Sequence, residues 1–137
     1  MRDQIGCHVH PVHRLDRGTS GVLLFALDRD VARALGTQFE AGQVAKRYVA
    51  VVRGHPAAEG TIVHELQRLC DDCEPESAGA AAGGSQRAVT HFRRLAVAEL
   101  PHAVDRYPTS RYAMLELRPE TGRRHQIRRH LKHVAHP

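Results

Sequence analysis

The 137 residues suit one domain rather than two, one that buries about two thirds of the surface its unfolded chain exposes. Hydrophobic residues make up 42% and charged residues 26%, ordinary for a soluble globular protein, and no apolar run approaches the ~20 residues of a membrane span, so a helical membrane protein is excluded. The net charge of +5 is unevenly placed: residues 1–100 carry twelve Lys/Arg and twelve Asp/Glu, residues 101–137 eight against three, and a basic end on a neutral body points to a polyanion, most simply nucleic acid, over a merely solvated basic helix.

In chain order, the N-terminal "MRDQIGCHVHPVH" has no apolar centre, so no secretory signal is expected. The next stretch, "HRLDRGTSG" (13–21), sets Asp16 between Arg14 and Arg17 and then turns through Thr19-Ser20-Gly21. From Ser20, "SGVLLFAL" has the length and branching of a buried strand. Asp28 then caps a helix, "DRDVARALGTQFEAG", with Val31, Leu35 and Phe39 on one face and Gly42 as its stop. Strands follow at "KRYVAVVRG" (46–54), with Lys46 on the face of Tyr48 and Arg47 on the other, and at "TIVHEL" (61–66). Residues 71–86, acidic and then Gly/Ala/Ser-rich, read as a flexible loop. Order returns with a strand at 88–100, Val89, His91 and Arg93 alternating against Thr90, Phe92 and Arg94. A further strand at 110–119 offers Tyr112, Met114 and Leu117 to the core, and "PETG" turns the chain into a last helix, "RRHQIRRHLKHVAHP". The pattern is α+β, a mixed, mostly antiparallel sheet with flanking helices.

Three cysteines, at 7, 70 and 73, are an odd number that argues against a disulfide framework and fits a reducing cytoplasm. "CDDC" (70–73) has half the spacing of a zinc site, and "CHVHPVH" (7–13) offers further ligands. The two acidic residues between the cysteines open a low-complexity loop, though, and structural zinc sits on firm turns. "HQIRRH" has no Glu and spaces His125 and His130 by five, unlike a zinc-protease helix. "GTSG" is one residue too short for a nucleophile elbow, so Ser20 reads as a turn residue.

On a helical wheel the last helix carries Ile127, Leu131, Val134 and Ala135 on its apolar stripe. His125, Arg129, Lys132 and His136 point away, and Arg124 and Arg128 stand at the edge. An arginine there either snorkels to water or meets a buried anion. If Arg128 meets Asp16, the carboxylate stays ionised and serves as nucleophile or base rather than acid, and Arg128→Ala costs fold as well as rate. If Asp16 only pairs with Arg17 at the surface, the pair is worth ~0 to 1 kcal/mol. Tyr48 is either a core-edge tyrosine or one that stacks on a flipped base.

"HRLDRGTSGVLLFA" (13–26), "AKRYVAVVRG" (45–54) and "TGRRHQIRRHL" (121–131) resemble, in this order, the three successive motifs of the RluA-type pseudouridine synthases. The resemblance implies isomerisation of uridine to pseudouridine in structured RNA, tRNA before ribosomal RNA and uridine 65 of tRNA in particular, without metal or other cofactor. It implies Asp16, Tyr48 and Arg128 as catalytic residues, and Arg14, Thr19, Arg123, Arg124, Arg129 and Lys132 as RNA-binding residues. Arg14 matches the arginine that enters the RNA helix as the uridine leaves its stack. Gly18 stands where tRNA-modifying members often carry proline. The chain corresponds to part of the family's catalytic domain, with further strands expected on both sides, and is expected to be monomeric, cytoplasmic and clear of membranes. Two other readings stand beside this one: a truncated, non-catalytic RNA-binding remnant, and a zinc-stabilised module using Cys70 and Cys73.

Overall fold

The computed structural model describes residues 2–68 and 84–137. They form two compact units, Met1–Val44 and Ala45–Pro137. The loop expected at 71–86 lies outside the described residues up to position 83, and with it Cys70 and Cys73. Ser85 and Gln86 belong instead to a strand.

The first unit holds α1 (Arg2–Ile5), β1 (His10–Pro11), β2 (Phe25–Ala26) and α2 (Arg29–Glu40). The long strand expected from Ser20 is reduced to the two residues of β2, and Val22 is 86% exposed. Its antiparallel partner β1 is equally short, and Pro11 has no N–H to extend the ladder. The α2 helix follows its expected limits. Asp28 accepts hydrogen bonds from the N–H groups of Asp30 (2.7 Å) and Val31 (3.2 Å), which hold its carboxyl below the usual range. Gly42, at φ 70°, turns the chain just past the helix end, where a side chain would be strained. Leu35 and Phe39 are half-buried and Val31 is exposed, so this helix has only part of its apolar stripe covered within the described residues.

The second unit is a four-stranded antiparallel sheet made of β3 (Tyr48–Arg53), β4 (Glu59–Gln67), β5 (Ser85–Leu100) and β6 (Ser110–Pro119) in the order β3-β6-β5-β4, with α3 (Gln126–His133). Every described pairing is antiparallel. Register decides which side chains are buried. Tyr48 faces Leu117, Ala50 faces Leu115 and Val52 faces Ala113, and directly opposed residues share a face. That face packs with Ile62 and Leu131 into the core, bordered by Phe92 and Ile127. Leu115 and Leu117 are fully buried, each contributing about 2 kcal/mol. Met114 therefore falls on the opposite face, 41% exposed: period-two pleating cannot bury both 114 and 117. A bulge between Arg94 and Ala96 shifts the β5 register beyond the expected alternation.

Gly54 ends β3 at φ 83°, and a Cβ there would stand 2.9 Å from His136 Nδ1. The ring meets Arg53 O at 2.8 Å, and Arg53 N–H donates to Pro137 O at 3.0 Å. The chain's last residues are thus laid against β3. Val134 and Ala135, expected on the helical stripe, lie past the end of α3 and are exposed, because Ala135 turns left-handed at φ 61°.

Candidate active site

In the first unit, Asp16 opens a β-turn. Thr19 N–H donates to Asp16 O at 2.9 Å, with Arg17 and Gly18 at the corners, and aspartate is a favoured first residue of such turns. Gly18 has no positive φ among the described backbone angles, so the turn does not depend on glycine's left-handed freedom. Asp16 and Thr19 are half-buried, whereas Arg14 and Arg17 are exposed. The loop is tied at its base. Val12 N–H donates to Leu24 O (3.1 Å), and Leu24 N–H donates to His13 Nε2 (3.1 Å). The His13 ring in turn stacks on Phe39 of α2, 4.8 Å between centroids. His13 must carry its proton on Nδ1 to accept that bond. The clamp is not legible from spacing, because it joins residues eleven apart through a ring nitrogen.

The other sequence-predicted residues lie in the second unit. Tyr48, the first residue of β3, is half-buried against the core. Its neighbours diverge as expected. Lys46 Nζ donates to Thr121 O at 3.2 Å, and burial lowers its pKa. Arg47 reaches Glu116 on the other face at 3.7 Å, where Arg93 (3.7 Å) and Arg118 (2.8 Å) also meet that carboxylate.

The third motif enters α3 through a polar knot. Gln126 is 5% exposed, and its amide uses all four of its hydrogen-bonding positions. Nε2 donates to Val89 O (2.9 Å) and Thr90 Oγ1 (3.0 Å), while Oε1 accepts from Thr121 Oγ1 (2.7 Å) and Arg123 N–H (3.0 Å). Thr121 Oγ1 itself accepts from Val89 N–H at 3.2 Å. The start of α3, which carries the motif's arginines, is therefore sewn to the middle of β5. His125, at the N-cap, is left-handed at φ 53° with no side-chain cap, so Gln126 takes over the work of fixing the helix entry. Sequence reasoning reads "HQIRRH" for its histidines and arginines and passes over the glutamine.

His130 is fully buried, its Nδ1 3.0 Å from Thr90 Oγ1. Burial lowers its pKa, keeping the ring neutral. The unfolded chain, with an ordinary histidine pKa near ~6.5, takes up this proton at higher pH than the folded one. Stability is thus lost as pH falls through the range below ~6.5. Denaturant melts of wild type and His130→Gln between pH 7.5 and 5.5 check this: the wild type is expected to lose more stability on acidification than the variant, whereas equal losses contradict it.

Arg128 is exposed, and Arg124 and Arg129 are half-buried. The wheel sends Arg129 to solvent, but its Nη1 donates to Gln67 O at the end of β4, 2.9 Å away. An exposed Arg128 and a half-buried Asp16 remove the ground for a large folding cost on Arg128→Ala, which falls instead in the ~0 to 1 kcal/mol class of surface groups. Arg123 and Lys132 are exposed. Arg123, Arg124 and Arg129 share a hollow of about 220 Å³ with Arg68, a residue that no motif contains. Cys7 is an exposed free thiol. Among the described residues no group of three or more His, Cys, Asp or Glu is placed to hold a metal, and no helix is long and apolar enough to cross a membrane.

Comparison with known proteins agrees along the whole chain. A family described as RNA pseudouridylate synthase matches residues 1–133. A tRNA pseudouridine synthase C from Pectobacterium carotovorum subsp. carotovorum is 54% identical over 142 residues, which take in 100% of this chain and 36% of that protein. Its namesake from Pasteurella multocida is 51% identical over 137 residues, 100% of this chain and 56% of that protein. The chain thus spans between a third and little more than half of these relatives. The solved structure of Human RNA Pseudouridylate Synthase Domain Containing 1 superposes with a TM-score of 0.76 at 27% identity, over 99% of this chain and 54% of that one. Human RNA Pseudouridylate Synthase Domain Containing 4 gives 0.69 at 28%, over 94% and 49%.

Proposed function

This chain belongs to the RNA pseudouridylate synthase family, and we propose that it isomerises uridine to pseudouridine in structured RNA, with uridine 65 of tRNA as the target. The observation that carries this reading is the presence of all three motifs, in order, in a chain whose similarity to tRNA pseudouridine synthase C runs over 100% of its length. In the reaction the N1–C1′ bond breaks, the base turns while bound, and a C5–C1′ bond forms. The C5 proton leaves and N1 gains one. A bond and a proton move with no net redox change, so side chains suffice.

Asp16 is the nucleophile or base of this scheme, and its β-turn supports the role by fixing the backbone from which the carboxylate projects. Tyr48 packs on the target base and handles the C5 proton, and Arg128 is the catalytic residue of the third motif. Arg14 and Thr19 meet the RNA from the Asp16 loop, and Arg123, Arg124, Arg129 and Lys132 from the third motif and α3. Extruding a uridine costs a few kcal/mol, which phosphate contacts from that basic end offset. The chain acts as a monomer in the cytoplasm.

Pseudouridine mapping in RNA from cells lacking the gene tests the assignment. Pseudouridine is expected to vanish from position 65 of its tRNA targets and to return when the gene is restored. An unchanged tRNA pattern with a loss in ribosomal RNA would move the substrate to the ribosome.

A further inference from the structure

Three parts of the second unit meet on one residue, Thr121, between β6 and α3. Its hydroxyl accepts from Val89 N–H of β5 (3.2 Å) and donates to Gln126 Oε1 of α3 (2.7 Å). Its carbonyl accepts from Lys46 Nζ at 3.2 Å, and the same ammonium lies against Gly122, where a Cβ would stand 3.5 Å from it. Lys46 is two residues ahead of Tyr48, the first residue of β3. Its bond spans 75 positions of sequence and joins the motif that carries Tyr48 to the motif that carries Arg128.

The chemistry of this bond suits a group kept for geometry. Burial disfavours the ammonium and lowers its pKa, and a neutral carbonyl offsets that cost less than a carboxylate does. A half-buried cation is an expensive way to hold a turn, and folds keep such local costs chiefly where function uses the geometry. The entry to α3 already has its own anchor, since Gln126 sews it to β5. What Lys46 adds to the knot is the segment leading into β3. On the other face of that segment Arg47 reaches Glu116 at 3.7 Å, but Arg93 and Arg118 meet the same carboxylate, so that tether is shared among three cations.

We propose that Lys46 is a positioning residue, which acts through the Thr121 carbonyl to fix the start of the third motif relative to the strand that carries Tyr48. The inference rests on the proposed isomerisation and deepens it, naming a group that touches neither base nor sugar. Its effect falls on the rate of the chemical step, where a displacement of about 1 Å is felt strongly, and not on affinity for RNA.

Three variants of the full chain test it: Lys46→Met, which keeps the stem and removes the donors, Lys46→Arg, which restores a cationic donor, and Arg47→Gln, which removes the neighbouring charge. Single-turnover isomerisation of unmodified tRNA by Lys46→Met is expected to be about 10- to 30-fold slower than by wild type. Its Kd stays within about twofold, and its slope of log K against log salt stays at the wild-type value. Lys46→Arg recovers most of the rate, and Arg47→Gln stays near wild type. Amide hydrogen exchange at Arg123 and Gln126, whose N–H groups bond to Gln126 Oε1 and Arg123 O, is expected to be about tenfold faster in Lys46→Met, with the β5 amides unchanged. A wild-type rate in Lys46→Met overturns the proposal, as does an equal loss in Arg47→Gln, which would be a net-charge effect. A salt slope flatter by about one would make Lys46 a phosphate contact instead, and a Tm fall of more than about 10 °C would make it a structural residue; either result overturns the positioning role. The reaction is judged separately. Wild type that binds tRNA without isomerising it removes the proposed reaction, and faster exchange in Lys46→Met then still supports the bridge. Isomerisation by the wild type with unchanged exchange in Lys46→Met removes the bridge and leaves the reaction.

Discussion

Replacing Asp16 by Asn is expected to cut isomerisation by about three orders of magnitude or more, the scale on which loss of a nucleophile or general base is felt. Binding of tRNA should stay within about twofold, since affinity comes chiefly from cations on phosphates. Asparagine keeps the size of the side chain and is equally at home at the first position of the β-turn closed by Thr19 N–H. The substitution therefore separates charge from shape. Single-turnover rates on tRNA, with melting curves as a control on folding, decide it. A rate within tenfold of wild type would take the chemistry away from Asp16.

The second large effect concerns stability. Gln126→Leu should lower stability by about 2–4 kcal/mol, because the hydroxyl of Thr121 and the N–H of Arg123 lose their acceptor in a buried site while Thr90 loses a donor. For a chain of this size that is roughly a 10 °C fall in Tm. Gln126→Glu offers an internal check. The introduced carboxylate cannot donate to Val89 O, which Gln126 Nε2 meets at 2.9 Å, so its pKa in the fold rises above the unfolded ~4.3. Stability of that variant is then present at low pH and lost as pH rises through the raised value, opposite in sign to the His130 effect. Thermal melts from pH 4.5 to 7.5 read both. A Tm for Gln126→Leu within about 2 °C of wild type would mean that the knot is replaceable by water.

What was legible in the sequence followed from local rules. The limits of α2 came from Asp28 and Gly42, and β6 occupies the predicted 110–119, because caps and turn residues act within a few positions. The long strand from Ser20 failed because an apolar run says nothing about whether a partner strand exists, and β1 offers only His10 and Pro11. Met114 was misplaced because the wheel of a strand has two faces and the sequence alone does not say which is covered. The three motifs marked Asp16, Tyr48 and Arg128, but not the groups that hold their elements. His13, Gln126 and His130 act through partners 11 to 40 positions away, and such pairings exist only once the chain is folded. Lys46 is the same case: its place beside Tyr48 was legible, and its bond to Thr121 O, 75 positions away, was not.

We propose that this chain exchanges the N1–C1′ bond of a tRNA uridine for a C5–C1′ bond. Release of tritium from tRNA carrying [5-³H]uridine tests it most directly, since that exchange must expel the C5 hydrogen. Tritium is expected in solvent, stoichiometric with pseudouridine formed, from the wild-type protein and none above background from Asp16→Asn. No release from the wild type, with tRNA demonstrably bound, would contradict it.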